Sequence, residues 1–124
     1  MKVLEFRTRG GKAVVHVGAS SEFLDTDDPG VAGDVLGSLQ GTVAWLEWIE
    51  APRGKGREFL SEILAALEDM GVDVVGAQVV PVGVSEDDPA VKRLAAFYER
   101  LGFEHAPHLA PYSDWPVMLH FLHT

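Results

Sequence analysis

Cysteine is absent from the chain, which excludes a disulfide framework, a thiolate nucleophile and a cysteine metal site. A reducing, cytoplasmic setting fits that absence. No apolar run approaches the ~18 residues needed to span a membrane, so no membrane partner is expected. The opening residues Met1-Lys2-Val3-Leu4-Glu5-Phe6-Arg7 alternate like a strand and do not form the apolar core of a signal peptide. Basic residues are scarce: 10 Lys and Arg stand against 19 Asp and Glu, for a formal net charge of −9. A nucleic-acid backbone is repelled by such a surface, whereas a cationic small molecule is tolerated or attracted.

What is present is enough for one domain spanning residues 1–124. The chain is 47% hydrophobic and 23% charged, and a chain of this length buries roughly two thirds of its unfolded surface. A group of its few cations sits in and around one stretch, Ala51-Pro52-Arg53-Gly54-Lys55-Gly56-Arg57-Glu58-Phe59-Leu60. A hydrophobic run ends at Ile49, a glycine-punctuated basic turn follows, and a helix begins at once. The glycines let the backbone curl, and the first helical turn adds unpaired N–H groups at the positive end of its dipole. Arg53, Lys55 and Arg57 surround that concavity, so a phosphate or pyrophosphate would fit it. The alternative is a plain strand-to-helix turn.

The flanking elements read clearly. Residues 2–9 and 13–19 form an antiparallel pair around Gly10-Gly11. His16 is the polar residue in the second strand, read as a side chain facing solvent. Residues 20–37 are the least legible, with turn chemistry at Asp25-Thr26-Asp27-Asp28-Pro29-Gly30 and only weak support for a short helix around Val35 and Leu36. Residues 39–49 alternate as a central strand, with Val43, Trp45 and Glu47 on one face and Ala44, Leu46 and Trp48 on the other. Glu47 and Glu50, at its end, are candidates to take a proton from an amine, or simply exposed acids.

Phe59, Leu60, Ile63, Leu64, Leu67 and Met70 recur at helical spacing over residues 56–70, and Gly71 supplies a stop. Residues 72–82 then read as a buried strand, completing a β-α-β crossover with parallel strands. Asp88-Pro89 begins a second helix that Gly102 ends. Phe103-Glu104-His105 and residues 117–122 read as the last strands. His105 and His108 lie three apart in a loop without a carboxylate partner, and no metal is expected.

Two stretches in this order resemble the GCN5-related N-acetyltransferase (GNAT) family. One is the strand, Arg53-Gly54-Lys55-Gly56 and the helix carrying Phe59 and Leu60, similar to the family's acetyl-CoA pyrophosphate loop. The other is Phe97-Tyr98-Glu99-Arg100-Leu101-Gly102-Phe103, similar to its late helix-to-strand signature. The resemblance covers roughly residues 39–122. It implies a mixed α/β (α+β) fold, a central sheet whose parallel strands splay apart, and two main helices. Acetyl-CoA would be the cosubstrate, its pyrophosphate on Arg53, Gly54, Lys55, Gly56 and Arg57, its pantetheine arm along Trp48 and Ile49. Tyr98 would be the general acid and Glu47 or Glu50 the base in direct acetyl transfer to a primary amine of a small molecule or protein.

The sequence also departs from the family pattern. With Gly54 and Gly56 aligned to the loop glycines, Ala51 stands where Gln or Arg is usual, and Val91 falls where asparagine is frequent. The family's two helices between its first two strands are replaced by Gly10-Gly11, so residues 20–37 or a second subunit in a homodimer would supply the acceptor wall. The runner-up reading is a catalytically silent relative binding acyl-CoA or a protein partner. A glyoxalase-like metal enzyme using His16, His105 and His120 ranks last.

Overall fold

The computed structural model describes residues 1–24 and 30–122. In chain order the elements are β1 (Lys2–Thr8), β2 (Gly11–Ala19), α1 (Ser20–Leu24), α2 (Gly30–Leu36), β3 (Thr42–Glu50), α3 (Gly56–Asp69), β4 (Val74–Gln78), α4 (Pro89–Arg100), β5 (Glu104–His105), a 3-10 turn (Pro107–Leu109) and β6 (Val117–Phe121). The strands form one six-stranded sheet in the order β1-β2-β3-β4-β6-β5. Its centre is the parallel pair β3 and β4, joined through α3, and the flanking pairs run antiparallel.

Alternation along the strands divides the core in two. Ala13, Val15 and Val17 of β2, Ala44 and Leu46 of β3, and Val75 and Ala77 of β4 pack under α3 and α4 against Phe59, Leu60, Ile63, Leu67, Val91, Ala95 and Tyr98. The intervening residues Val43, Trp45 and Val74 face the opposite side, where Phe23 of α1 and Val35 and Leu36 of α2 cover them. Trp45 can lie flat beside β4 because its register partner is Gly76. A Cβ there would come within 3.0–3.1 Å of the indole and of Leu36.

Both main helices end on the same device. In α3, Gly71 adopts φ 85, its N–H donates to the Glu68 carbonyl, and Val72 N–H donates to the Leu67 carbonyl. In α4, Gly102 adopts φ 97, its N–H donates to Glu99, and Phe103 N–H donates to Tyr98. These paired bonds satisfy carbonyls that the helix leaves open, and the left-handed residue favours glycine. At its start, α4 has Asp88 accepting from Ala90 N–H at 2.9 Å, with Pro89 at the first helical position.

The structure corrects several boundaries. The strand expected over residues 39–49 begins at Thr42 and runs to Glu50, because Gly41 at φ 92 turns the chain just before it. The strand expected over 72–82 spans only Val74–Gln78, since β3 and β4 stay paired only from Val43↔Val74 to Leu46↔Ala77. Beyond that point the two parallel strands diverge. As expected, a tight turn joins β1 to β2 with no helices between them. Two short helices instead follow β2, too brief for a sequence period to expose. The acid-rich turn at residues 25–29 lies outside the described residues.

The alternation expected for β3 also fails in its second half. Val14 pairs with Trp48 while Val15 pairs with Leu46, so Glu47 is an extra residue, a β-bulge. Residues opposite each other in a sheet share a face, and Trp48 therefore lies on the same side as Val14. Glu47 and Trp48 thus both leave the α3/α4 face, and Trp48 is 41% exposed where a straight strand would have buried it.

Candidate active site

The glycine turn is built as its residue types dictate. Lys55 N–H donates to the Pro52 carbonyl at 2.9 Å, closing a turn in which Gly54 takes φ 82. Helix α3 then starts at Gly56 with no side chain capping it, so the first-turn N–H groups have no carbonyl a turn earlier to bind. The described ion pairs are Met1–Glu22, Arg7–Glu5, His16–Glu47 and His105–Glu99. Arg53, Lys55 and Arg57 enter none of them. A cavity of about 470 Å3 lies against the turn, lined by Ile49, Ala51, Pro52, Arg53, Gly54, Gly56, Arg57, Leu94 and Phe97. Open N–H groups, two exposed guanidinium groups and an apolar wall from α4 suit an anionic group carried on an apolar arm.

A second, smaller cavity of about 120 Å3 occupies the gap where β3 and β4 diverge. Its lining is Trp45, Leu46, Glu47, Trp48, Ile49, Gln78, Val80, Val82 and Tyr98. Ile49 belongs to both cavities, so the turn and the gap are neighbours along one strand. Tyr98 enters from the α4 side. It is only 3% exposed, held by the helix stop at Gly102 and by edge-on packing with Phe97 and Phe103 at 5.7 and 5.1 Å between ring centroids. Burial pushes its hydroxyl up to about 12, because phenolate loses more solvation than phenol. The group is therefore a protonated donor throughout the physiological range.

Glu47 enters from the other side of the sheet, and its carboxylate is hydrogen-bonded to Nε2 of His16. Gln78 donates from Nε2 to Ser113 Oγ at 2.9 Å, which directs its amide and leaves the carbonyl oxygen as an acceptor. The gap thus holds a donor, Tyr98, on one wall and acceptors, Glu47 and Gln78, on the other.

The structure gathers most of the sequence candidates and separates two of them. Ile49, Arg53, Gly54, Gly56 and Arg57 share the turn cavity, while Tyr98, Glu47 and Trp48 share the gap. Lys55 points instead into a groove with Thr8, Arg9, Gly10, Glu58, Phe59 and Glu62. Glu50 lines neither cavity and sits opposite Lys12 at the sheet's end. His16 is not a plain solvent-facing strand residue, since it holds Glu47. Sequence reasoning also missed Leu94 and Phe97, although their three-residue spacing is legible, and Gln78, Val80 and Val82, which it read as buried strand.

The three histidines of the metal-enzyme reading have separate occupations. His16 binds Glu47, His105 binds Glu99 at 2.9 Å, and His120 Nδ1 donates to the Gly102 carbonyl at 2.9 Å while stacking on Phe103.

Comparison with known proteins matches this architecture at the level of fold. No family model and no curated protein matches the chain. Among solved structures, an agmatine N-acetyltransferase in its apo form aligns with TM-score 0.55 and 12% identity over 90% of this chain and 70% of its own. The polyamine N-acetyltransferase of Drosophila melanogaster, described as catalysing formation of N-acetylagmatine, aligns with TM-score 0.54 and 14% identity over 93% of this chain and 69% of its own. The chain has a GNAT-like fold.

Proposed function

We propose that this chain is an acetyl-CoA-dependent N-acetyltransferase that moves an acetyl group directly to a primary amine, and that residues 1–124 act as one unit. The observation that carries the reading is the adjacency of the two cavities, which share Ile49 in their linings. It sets a turn suited to an anion beside a gap equipped with an acid and a base. Acetyl-CoA would supply the activated acyl group, with its pyrophosphate held by the backbone at Gly54 and Gly56 and by Arg53 and Arg57. Tyr98 donates a hydrogen bond to the departing sulfur and then its proton as charge develops there. A phenol near 12 parts with that proton only to a sulfur placed beside it, so positioning does much of the work. Glu47 accepts the proton lost by the incoming ammonium, and the second proton, shed by the nitrogen after it has attacked the carbonyl, restores the Tyr98 phenol. The Lys55 and Glu50 roles expected from sequence gain no support from their placement.

The same reading includes a homodimer and a cytoplasmic setting, supported by the absence of cysteine and by the missing helices between β1 and β2. Those missing helices also favour a second reading, a catalytically silent binder of acyl-CoA. Release of free thiol from acetyl-CoA, followed with a colorimetric reagent across a panel of amines, separates the two. The enzyme reading expects amine-dependent release that Tyr98→Phe lowers in kcat by about 100-fold. Acetyl-CoA binding with no amine-dependent release would leave the silent binder.

A further inference from the structure

The gap is lined from both faces of the sheet, and the side away from α3 and α4 carries information about the acceptor. On β4, Val75, Ala77 and Val79 are buried on the helix side, so Gln78 and Val80 turn to the opposite face. On β3 the bulge sends Glu47 and Trp48 to that same face. Facing each other across the divergence are therefore Trp45, Glu47 and Trp48 from one strand and Gln78 and Val80 from the other, with Val82 just beyond. Three of these are large apolar side chains left in water: Trp48 is 41% exposed, Val80 45% and Val82 91%. Three exposed apolar groups around a single cavity exceed the scattered exposure common on protein surfaces.

Glu47 and Gln78 each present an acceptor oxygen on this side. Glu47 is anchored through one oxygen to His16, and Gln78 donates one amide N–H to Ser113, with its carbonyl oxygen left as an acceptor. They match an ammonium, which only donates. Glu47 is the sole charged residue in the lining, so this side answers one positive charge and then becomes apolar.

We propose that this face binds a small primary monoamine whose nitrogen is carried on an apolar, aromatic or branched body. Its ammonium lies between Glu47 and Gln78, and its body covers Trp48, Val80 and Val82. A diamine or guanidinium-bearing amine is disfavoured, because its second cation would lie against those three side chains or have to be desolvated. This assignment deepens the transferase reading and rests on it for the identification of the face as the acceptor side. The binding chemistry itself stands on the lining.

The test is tryptophan fluorescence of the full chain with coenzyme A present, titrated with phenethylamine, isopentylamine, agmatine and spermidine. Phenethylamine should bind about tenfold or more tightly than agmatine, and Trp48→Ala and Val82→Asp should each weaken it about fivefold or more with agmatine little changed. Far-UV circular dichroism shows whether each variant is folded. Val82 is so exposed that Val82→Asp keeps the test valid if Trp48→Ala does not fold. Agmatine binding as well as phenethylamine would overturn the assignment, as would indifference of phenethylamine to a folded variant. Agmatine affinity that falls on Asp114→Asn would place the acceptor's body in the carboxylate-lined cavity of Glu86, Asp87, Asp88 and Asp114, again overturning it. Thiol release on the same samples keeps the two claims apart. Selective phenethylamine binding without release rejects the transferase and retains the monoamine face. Release that favours agmatine does the reverse.

Discussion

The two halves of β3 differ in pairing and in burial. Residues 43–46 pair with β2 on one side and β4 on the other, and all four are buried. Residues 47–50 keep only β2, contain the bulge, and are exposed or half-exposed. One strand thus serves first as the centre of the core and then as the wall of a cavity. A parallel neighbour that departs after four residues leaves backbone and side chains facing a small gap. The bulge sets which of those side chains reach the gap. It moves Trp48 off the face of the α3/α4 core and places the Glu47 carboxylate where His16 can hold it.

The comparison breaks if the halves respond alike to substitution. Leu46→Ala, in the closed half, should cost about 2–5 kcal/mol in urea unfolding, whereas Trp48→Ala, in the open half, should cost about 1 kcal/mol or less. Tyr98→Phe sharpens it next. Stability should change little at neutral pH while kcat falls by about 100-fold. That variant also carries a pH signature. The Tyr98 hydroxyl, raised from 10.0 to about 12 by burial, keeps its proton in the folded state where the unfolded chain has lost it. Stability is therefore unaffected by this group below about pH 10 and falls by on the order of 2–3 kcal/mol as pH climbs from there toward 12. Alkaline unfolding of Tyr98→Phe should lack that component.

Smaller effects separate neighbours that sequence alone treated as equivalent. Glu47→Gln should lower kcat about tenfold or more, while Glu50→Gln, whose side chain lines neither cavity, should stay within about twofold. Arg57→Ala should weaken acetyl-CoA binding several-fold, roughly three to ten times, and Lys55→Ala should leave it nearly unchanged. Equal responses from Glu47 and Glu50, or from Arg57 and Lys55, would mean that the cavity linings do not define the site.

What the sequence disclosed, and what it hid, follows from the range of each signal. The glycine turn, the stripe of α3 and the start and stop of α4 are local, since their caps, glycines and apolar spacing lie within a few residues of one another. The Phe97-to-Phe103 stretch reads as a family signature for a structural reason as well. Gly102 stops the helix, and Phe103 folds back on Tyr98. The bulge at Glu47 leaves no local mark, because residues 42–49 alternate as well as any straight strand, and only the register with β2 reveals the extra residue. His16 and Glu47 are 31 residues apart, and nothing in either neighbourhood announces the pair. Helices α1 and α2, of 5 and 7 residues, are too short to show a period. They are held by the burial of Phe23, Val35 and Leu36 against the sheet.

The central claim, that the glycine turn and the strand gap form one acyl-CoA site, is tested most directly by calorimetric titration of acetyl-CoA into the wild-type chain and into Gly56→Glu. Gly56 is helical, and a Cβ there approaches the Phe97 ring at 3.4 Å, so the substitution puts a carboxylate into the turn cavity without demanding a left-handed backbone. The account predicts binding at about micromolar Kd by wild type, a loss of about 4 kcal/mol or more in the variant, to a Kd above about 1 mM, and an unchanged circular dichroism spectrum. A folded wild-type chain that gives no heat with acetyl-CoA, or a folded variant that binds as well as wild type, would contradict it.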